Sequence, residues 1–191
     1  MKKIIFDLDD TLYRNELRLE REKAILNFLD CKKEKYLELK KNHGTIESLN
    51  ILGVNKKQFF DIMDNVPIEI KKDEKLIKIL EKIGKNYELI VLSNSSEFCV
   101  REVLTKLGII QLINKYYHGE NFENQKPNEE CFFMVESRDI CVGNSFRKDL
   151  EIPKKLGAIT ILVGEKENPN ADFTIRNIYE LEKIMKSIEN I

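Results

Sequence analysis

The sequence predicts an α/β fold, in which a doubly wound, Rossmann-like parallel sheet carries an inserted helical domain. Two observations support this prediction. After residue 85, short continuous apolar runs alternate with amphipathic segments, as is typical of strands that are buried between helices. A similar run stands near the N-terminus, whereas the intervening segment shows only helical spacing of its apolar residues. We therefore expect an α/β core domain at residues 1–14 and 73–191 and a helical domain at residues 15–72.

The core elements are expected where the apolar pattern is clearest. Strands are expected at residues 2–6, 89–92, 140–142 and 158–163. Helices are expected at residues 76–83, 96–107 and 178–188, and between the loop at Gly143 and Leu156. Gly108 and Gly157 follow two of these helices, as residues that end helices often do. Pro153 lies inside one of them and should kink or shorten it.

The composition describes a globular chain of 191 residues, of which 42% are hydrophobic, so disorder is not expected. The formal net charge of −1 provides no bulk attraction for a nucleic-acid polymer. No apolar stretch approaches the roughly 18 residues of a membrane span, and no signal peptide is recognisable. The four cysteines are widely spaced without a CxxC pair. We therefore expect reduced thiols and a cytoplasmic location.

Two aspartates follow the first strand directly. Asp7 and Asp9 are separated by one residue, so a strand that extends through them points both side chains in one direction. Neighbouring carboxylates beyond a buried strand favour a bound cation, and ligation by oxygen alone favours Mg²⁺ over zinc. Asp7 could then attack a phosphate whose charge is neutralised, and Asp9 could transfer protons. The alternative is a solvated acidic turn or a helix N-cap.

Polar residues also follow the other core strands, at the sheet edge where parallel sheets bind ligands. Ser93 and Asn94 follow the second predicted strand, and a hydroxyl beside the amides of a helix start can hold a phosphate. Lys126 lies in a polar loop and could bind both nucleophile and phosphate by its charge. Asn144 and Asp149 follow the third predicted strand and could complete a metal shell. Taken singly, these residues also fit helix caps or an ordinary surface lysine.

In this order, the motifs resemble those of the haloacid dehalogenase superfamily, over residues 2 to 163. The resemblance rests on a DxDxT motif that begins at Asp7, a Ser-Asn pair at Ser93, a Lys-Pro pair at Lys126 and a glycine-acidic loop at Gly143. It implies that Asp7 is the nucleophile and that Asp9 is the general acid and base. A carboxylate at position 9 follows the phosphatase and phosphomutase pattern rather than the dehalogenase pattern.

The resemblance also implies a ligand set. The implied phosphate-binding residues are Ser93, Asn94, Lys126 and Thr11. The implied Mg²⁺ ligands are Asp7, the backbone carbonyl of Asp9, Asn144 and Asp149. The reaction implied is phosphomonoester hydrolysis of a small soluble metabolite through an aspartyl phosphate on Asp7.

The helical insert stands where the superfamily has a type 1 cap, which closes over the site and selects the substrate. The segments at residues 6–13 and 43–45 resemble the pyrimidine 5′-nucleotidase-like branch, which implies a nucleoside monophosphate as substrate. His43 replaces a tyrosine of that branch. Arg14, directly after the nucleophile motif, and His43 are the candidates for substrate contact.

Asn144 departs from the superfamily pattern, which has an aspartate directly after the glycine. A neutral amide supplies one oxygen without charge, so Mg²⁺ binding should be weaker. Two alternatives therefore stay open: a weakened or non-catalytic protein that binds a phosphorylated ligand or partner, and phosphoryl transfer to an acceptor other than water. We expect a small phosphate ester as ligand, no nucleic-acid or membrane partner, and a monomer or homodimer.

Overall fold

The computed structural model describes residues 2–188. The chain forms two compact units. One unit combines the chain up to Asn15 with the chain from Ile70 onward, and the other is Glu16–Glu69. All strands belong to the first unit, whereas the second unit is built from helices.

The helical unit contains α1 (Arg18–Leu29), α2 (Lys33–Leu39), α3 (Thr45–Ile51) and α4 (Lys56–Asp64). The start of α4 is defined by a reciprocal cap, in which the Asn55 side chain accepts from the Gln58 N–H and the Gln58 side chain accepts from the Asn55 N–H. Apolar side chains from all four helices form a core that belongs to this unit alone: Ile25, Leu29, Tyr36, Leu49, Ile62 and Met63.

The first unit contains one sheet with the strand order β3-β2-β1-β4-β5-β6, and every neighbouring pair is parallel. The strands are β1 (Lys3–Phe6), β2 (Glu88–Leu92), β3 (Lys115–Tyr117), β4 (Ile140–Gly143), β5 (Ile159–Val163) and β6 (Phe173–Ile175). The predicted α/β class is therefore confirmed. The order reverses at β1, so the carboxyl ends of β1, β2 and β4 surround the crevice where such sheets bind ligands.

Two strands were not predicted from the sequence. Both β3 and β6 have three residues and lie at the two edges of the sheet. Their residues are mostly half-buried or exposed, because an edge strand pairs on one side only. Neither strand therefore carries the continuous run of buried residues that marks β1, β2, β4 and β5.

The helices of the first unit are α5 (Glu74–Ile83), α6 (Glu97–Leu107), α7 (Glu151–Lys155) and α8 (Leu181–Ile188). Ser96 caps α6 by accepting from the Cys99 N–H, and Gly108 ends it with a φ of 78°. The helix predicted to end at Leu156 is interrupted: a π-helical turn, Phe146–Leu150, precedes the short α7. Pro153 lacks the N–H that would continue an α-helical ladder through this turn. Within residues 2–188, no helix has the length and apolar character needed to cross a lipid bilayer.

Candidate active site

Asp7 lies directly beyond β1, at the reversal point of the sheet. Its backbone N–H donates to the Val142 carbonyl at 2.9 Å, which ties it to the neighbouring strand β4. Its side chain is only 11% exposed. The Oδ1 atom accepts from Lys126 Nζ and the Oδ2 atom accepts from Thr11 Oγ1, both at 2.8 Å. Both oxygens of this carboxylate are thus held in one orientation.

Lys126 reaches this site from the loop between β3 and β4, and its side chain is 3% exposed. Its Nζ atom donates to Asp7 Oδ1, to the Leu92 carbonyl and to Asp149 Oδ1, each at 2.8 Å. Burial alone would lower the pKa of Lys126, but the charges of Asp7 and Asp149 outweigh it and hold this pKa above its ordinary value. The lysine therefore stays protonated at neutral pH.

The site has more acidic groups than basic ones. Burial raises the pKa of Asp7 to about 6; the ammonium of Lys126 opposes this rise, and the carboxylates of Asp149 and Asp9 add to it. Lys126 bonds Asp7 and Asp149, whereas the Asp9 carboxylate accepts from Tyr13, Asn15 and Ser95. The excess of negative charge makes the site suitable for a cation.

Asp149 is positioned by the loop that follows β4. Its Oδ2 atom accepts from the Ser145 N–H at 3.0 Å, and its own N–H donates to the Ser145 carbonyl at 2.8 Å. Gly143, the last residue of β4, lies so close that a Cβ atom there would be 2.4 Å from Asp149 Cβ. A glycine is therefore required for the buried carboxylate to approach the strand end.

We expect a Gly143→Ala variant to be destabilised by about 1–3 kcal/mol, because the added methyl group displaces Asp149 and the turn that carries it. Thermal denaturation followed by circular dichroism measures this effect. Gly164→Ala is the matched control, since Gly164 lies at the end of a neighbouring strand, directly after β5, and a methyl group added there would meet no atom within 4 Å. Equal melting temperatures for the two variants would contradict the packing argument.

Asp9 is surrounded by donors that the sequence analysis did not identify. Its Oδ1 atom accepts from Tyr13 Oη at 2.5 Å and from Asn15 Nδ2 at 2.8 Å, and its Oδ2 atom accepts from Ser95 Oγ at 2.9 Å. Asp10 has a φ of 60°, a left-handed conformation that aspartate tolerates, and this turn brings Tyr13 beside Asp9. The only sequence signal was that these donors lie within or next to the recognised motifs.

Ser93 and Asn94 follow β2, and their side chains have different hydrogen-bond partners. Ser93 is buried, and its Oγ atom accepts from the Ser95 N–H at 3.1 Å. The Asn94 side chain is turned toward the backbone of Lys126: its Nδ2 atom donates to the Lys126 carbonyl at 3.0 Å and its Oδ1 atom accepts from the Lys126 N–H at 2.9 Å. All four residues predicted to bind phosphate, Thr11, Ser93, Asn94 and Lys126, thus have side-chain partners within the protein.

Backbone donors remain available at the same edge of the sheet. The N–H groups of Leu8 and Asn94 donate to no backbone carbonyl within residues 2–188. Leu8 lies between the two motif aspartates, and Asn94 follows Ser93. Together with the Ser93 hydroxyl and Lys126, these groups could bind the oxygens of a phosphate.

A metal would have to be held by mixed oxygen donors. In the described part of the chain, no group of three or more His, Cys, Asp or Glu side chains is arranged to bind a metal ion. The carboxylates of Asp7 and Asp149, the carbonyl of Asp9 and the amide of Asn144 are nevertheless all hard oxygen donors, and the site carries excess negative charge. Asn144 follows β4 directly and is exposed. This donor set fits Mg²⁺, which keeps several waters and needs few protein ligands.

The two predicted substrate contacts lie in different units. Arg14 belongs to the first unit and is exposed. His43 belongs to the helical unit, where its Nδ1 atom lies 2.9 Å from Glu47 Oε1. Their contact with a substrate stays a prediction.

Several solved structures have the same fold as this chain. The HAD phosphatase of Thermococcus onnurineus is 22% identical, with a TM-score of 0.62, and the match covers 97% of this chain and 98% of that one. A HAD-hydrolase of Bacillus subtilis bound to magnesium is 14% identical, with a TM-score of 0.65 and the same coverage. A 2-haloacid dehalogenase of Pseudomonas syringae is 16% identical, with a TM-score of 0.55 and coverage of 98% and 99%. The fold is thus shared by phosphatases and dehalogenases.

Sequence comparison gives the family. Glyceraldehyde 3-phosphate phosphatase of Methanocaldococcus jannaschii is 25% identical over an alignment of 234 positions, which covers 99% of each chain. The sequence profile of the haloacid dehalogenase-like hydrolases matches residues 4–161. The prediction of a hydrolase is therefore confirmed, and the chain belongs to the haloacid dehalogenase-like hydrolase family.

Proposed function

We propose that this chain is a Mg²⁺-dependent phosphatase that hydrolyses small phosphate monoesters through an aspartyl phosphate on Asp7. The observation that carries the proposal is the carboxylate of Asp7, which Lys126 and Thr11 hold by both oxygens at the reversal point of the sheet. The similarity to a phosphatase over 99% of the chain supports it.

In the first step, an oxygen of Asp7 attacks phosphorus, and the bond between phosphorus and the leaving oxygen breaks. Asp9 gives a proton to the leaving oxygen. Lys126, the Ser93 hydroxyl and the N–H groups of Leu8 and Asn94 stabilise the charge on the remaining phosphate oxygens. Thr11 keeps the attacking carboxylate in its orientation by donating to Oδ2.

In the second step, water attacks the phosphorus of the aspartyl phosphate. Asp9 accepts a proton from this water, the bond to Asp7 breaks, and inorganic phosphate leaves. The Asp9 carboxylate transfers a proton in both steps, so its orientation matters in each. The hydroxyls of Tyr13 and Ser95 and the amide of Asn15 maintain that orientation.

A bound Mg²⁺ would be held by Asp7, the Asp9 carbonyl, Asn144 and Asp149, and it supplies the positive charge that lets an anionic carboxylate approach an anionic phosphate. The fit rests on the three acidic side chains at the carboxyl ends of the strands, Asp7, Asp9 and Asp149. Burial and the repulsion between them raise the pKa of Asp7, so a cation would stabilise its charged form.

The carboxylate at position 9 favours phosphate esters over haloacids as substrates. An alkoxide leaves readily only when it receives a proton, whereas a halide leaves without one. Asp9 lies beside the nucleophile in the sequence and is held by three side-chain donors. A side chain that transfers protons serves a phosphatase and has no role in dehalogenation.

We further propose that the helical unit, Glu16–Glu69, acts as a type 1 cap that excludes bulk water during the reaction and selects the substrate. Arg14 and His43 are the proposed substrate contacts. Two substrate classes follow: short-chain sugar phosphates, because the Methanocaldococcus relative acts on glyceraldehyde 3-phosphate, and nucleoside monophosphates, because residues 6–13 and 43–45 resemble the nucleotidase branch.

The deciding experiment measures release of inorganic phosphate by the purified protein with Mg²⁺. The panel contains glyceraldehyde 3-phosphate, phosphoglycolate, nucleoside monophosphates and a chromogenic phosphate ester. We expect turnover of at least one ester, and its loss when a chelator is added. Turnover of nucleotides alone would favour the nucleotidase branch, and turnover of triose phosphate alone would exclude it. No turnover of any ester would refute the proposed function.

Asn144→Asp is expected to lower the Mg²⁺ concentration that gives half-maximal activity by about tenfold, because a charged ligand replaces a neutral one. Titration of activity with Mg²⁺ measures the change. Asn86→Asp is the matched control, since Asn86 is exposed and precedes β2 at the opposite edge of the sheet, so it adds the same charge far from the site. An unchanged Mg²⁺ requirement would show that Asn144 is not a ligand.

A further inference from the structure

The strongest unassigned feature of the site is a clamp between the loop after β2 and the loop that carries Lys126. Both polar ends of the Asn94 carboxamide bind both backbone groups of Lys126: Nδ2 donates to the carbonyl at 3.0 Å and Oδ1 accepts from the N–H at 2.9 Å. A third hydrogen bond joins the same loops, in which Gln125 Nε2 donates to the Asn94 carbonyl at 2.7 Å. Three hydrogen bonds thus join two loops that are more than 30 residues apart in sequence.

The carboxyl end of β2 also binds the ammonium group of Lys126. Lys126 Nζ donates to the carbonyl of Leu92, the last residue of β2, at 2.8 Å. Asn94 follows two residues later and holds the Lys126 backbone. The lysine is therefore attached to one short segment of chain at its backbone and at its ammonium group.

This double attachment limits where the ammonium group can be. A lysine side chain has four rotatable methylene bonds, and a free one occupies many rotamers. With its backbone fixed by Asn94, Lys126 reaches Asp7 and Asp149 at once, both at 2.8 Å. Small displacements of a catalytic group reduce rates strongly, by about 10²-fold for 1 Å.

We infer that Asn94 is a positioning residue, which acts on the reaction by fixing the backbone of Lys126 rather than through its own side chain on the substrate. The inference rests on the proposed function for its kinetic consequence only. The position of Lys126 itself can be tested without any turnover.

The structural test is the accessibility of the Lys126 amine. The intact protein is treated with an amine-labelling reagent, and the labelled lysines are identified by mass spectrometry. In the parent protein, Lys126 is expected to be protected, because its side chain is 3% exposed. In Asn94→Ala, we expect labelling of Lys126 to rise at least about tenfold, since its backbone is released from the clamp.

Asn114→Ala is the matched control for lost stability. The Asn114 side chain also makes a hydrogen bond to the backbone of β2, accepting from the Leu89 N–H at 2.8 Å, but near the opposite end of that strand. We expect this variant to lose stability and to keep Lys126 protected. Gln125→Ala removes only the third bond of the clamp, so an intermediate rise in labelling is expected. It also keeps the inference testable if Asn94→Ala does not fold.

The kinetic test separates positioning from direct substrate contact. Asn94→Ala is expected to lower kcat by about 10- to 100-fold with a smaller change in KM, and Asn114→Ala is expected to keep the parent kcat. A raised KM with an unchanged kcat and a protected Lys126 would assign Asn94 to substrate binding and overturn the inference. Labelling and kcat both unchanged would overturn it too. Increased labelling in a protein without phosphatase activity would refute the proposed function and leave the positioning role intact.

Discussion

An Asp7→Asn variant is expected to lose phosphatase activity by about 10³-fold or more, while remaining at least as stable as the parent protein in metal-free buffer. The loss of activity follows because an amide oxygen cannot form the phosphoenzyme. The retained stability follows from the surroundings of Asp7. An amide can still accept from Lys126 through Oδ1, and its Nδ2 can donate to the Thr11 hydroxyl, which turns to accept.

The sign of the stability change follows from the pKa of Asp7. Burial raises the pKa of Asp7 to about 6 in the folded protein, above the ordinary aspartate value of 3.8. Between these pH values the folded state binds the proton more tightly than the unfolded state, so stability falls as the pH rises through this range. Above about pH 6 the buried carboxylate therefore costs stability, on the order of 1–3 kcal/mol. Asparagine removes that cost.

The measurement is thermal denaturation of both proteins with chelator, at pH 7.5 and at pH 5. We expect the variant to melt at the same or a higher temperature at pH 7.5, and the difference to shrink at pH 5. Asp172→Asn is the control, for which we expect a change in stability of the opposite sign. Although burial raises the pKa of Asp172, its bonds to Lys154 and Thr160 outweigh this and hold the pKa below its usual value. Loss of this carboxylate should therefore destabilise the protein equally at pH 7.5 and at pH 5, because its stabilising effect is lost only as the pH falls below the ordinary aspartate pKa. A variant at position 7 that melts well below the parent would contradict the argument.

Lys126→Met is expected to have the largest effect on stability. The substitution leaves the carboxylates of Asp7 and Asp149 buried together without their cation and removes the donor to the Leu92 carbonyl. Breaking a buried ion pair from one side costs about 3–5 kcal/mol. For a chain of this size, that corresponds to a drop in melting temperature of about 6–20 °C. Phosphatase activity should be lost as well, because the charge opposite the phosphate is gone.

A second substitution tests the cause. Adding Asp149→Asn to Lys126→Met removes one of the two opposed carboxylates, so part of the lost stability should return while the activity does not. Lys155→Met is the surface control, because Lys155 is 67% exposed and pairs with Glu151 on the surface, where ion pairs contribute little. A melting temperature for Lys126→Met close to that of this control would show that the buried ion network does not hold the site together.

The strands that were predicted from the sequence are those whose own residues show the pattern of a buried strand. β1, β2, β4 and β5 are almost wholly buried, and each is mainly apolar, with Thr160 as the one polar residue inside β5. The edge strands β3 and β6 are defined instead by their pairing with β2 and β5. Their own residues do not show that pairing. Pro153 correctly indicated a disturbed helix, because a missing N–H is a property of one residue, but the π-helical turn before it depends on the loop around Asp149.

In the candidate site, too, some features follow from the sequence and others only from the tertiary structure. The sequence by itself determined the acidic motif at Asp7 and Asp9 and its place after a buried strand, because strand order and residue spacing are local properties. The resemblance to the superfamily singled out Lys126 among many lysines, but only the tertiary structure brings its ammonium within 2.8 Å of Asp7, which lies 119 residues away along the chain. The tertiary structure also turned Asn94 toward Lys126, Thr11 toward Asp7, and Ser95 toward Asp9. A side chain's partner depends on which strand ends the sheet brings together, and that pairing is not encoded in any single segment.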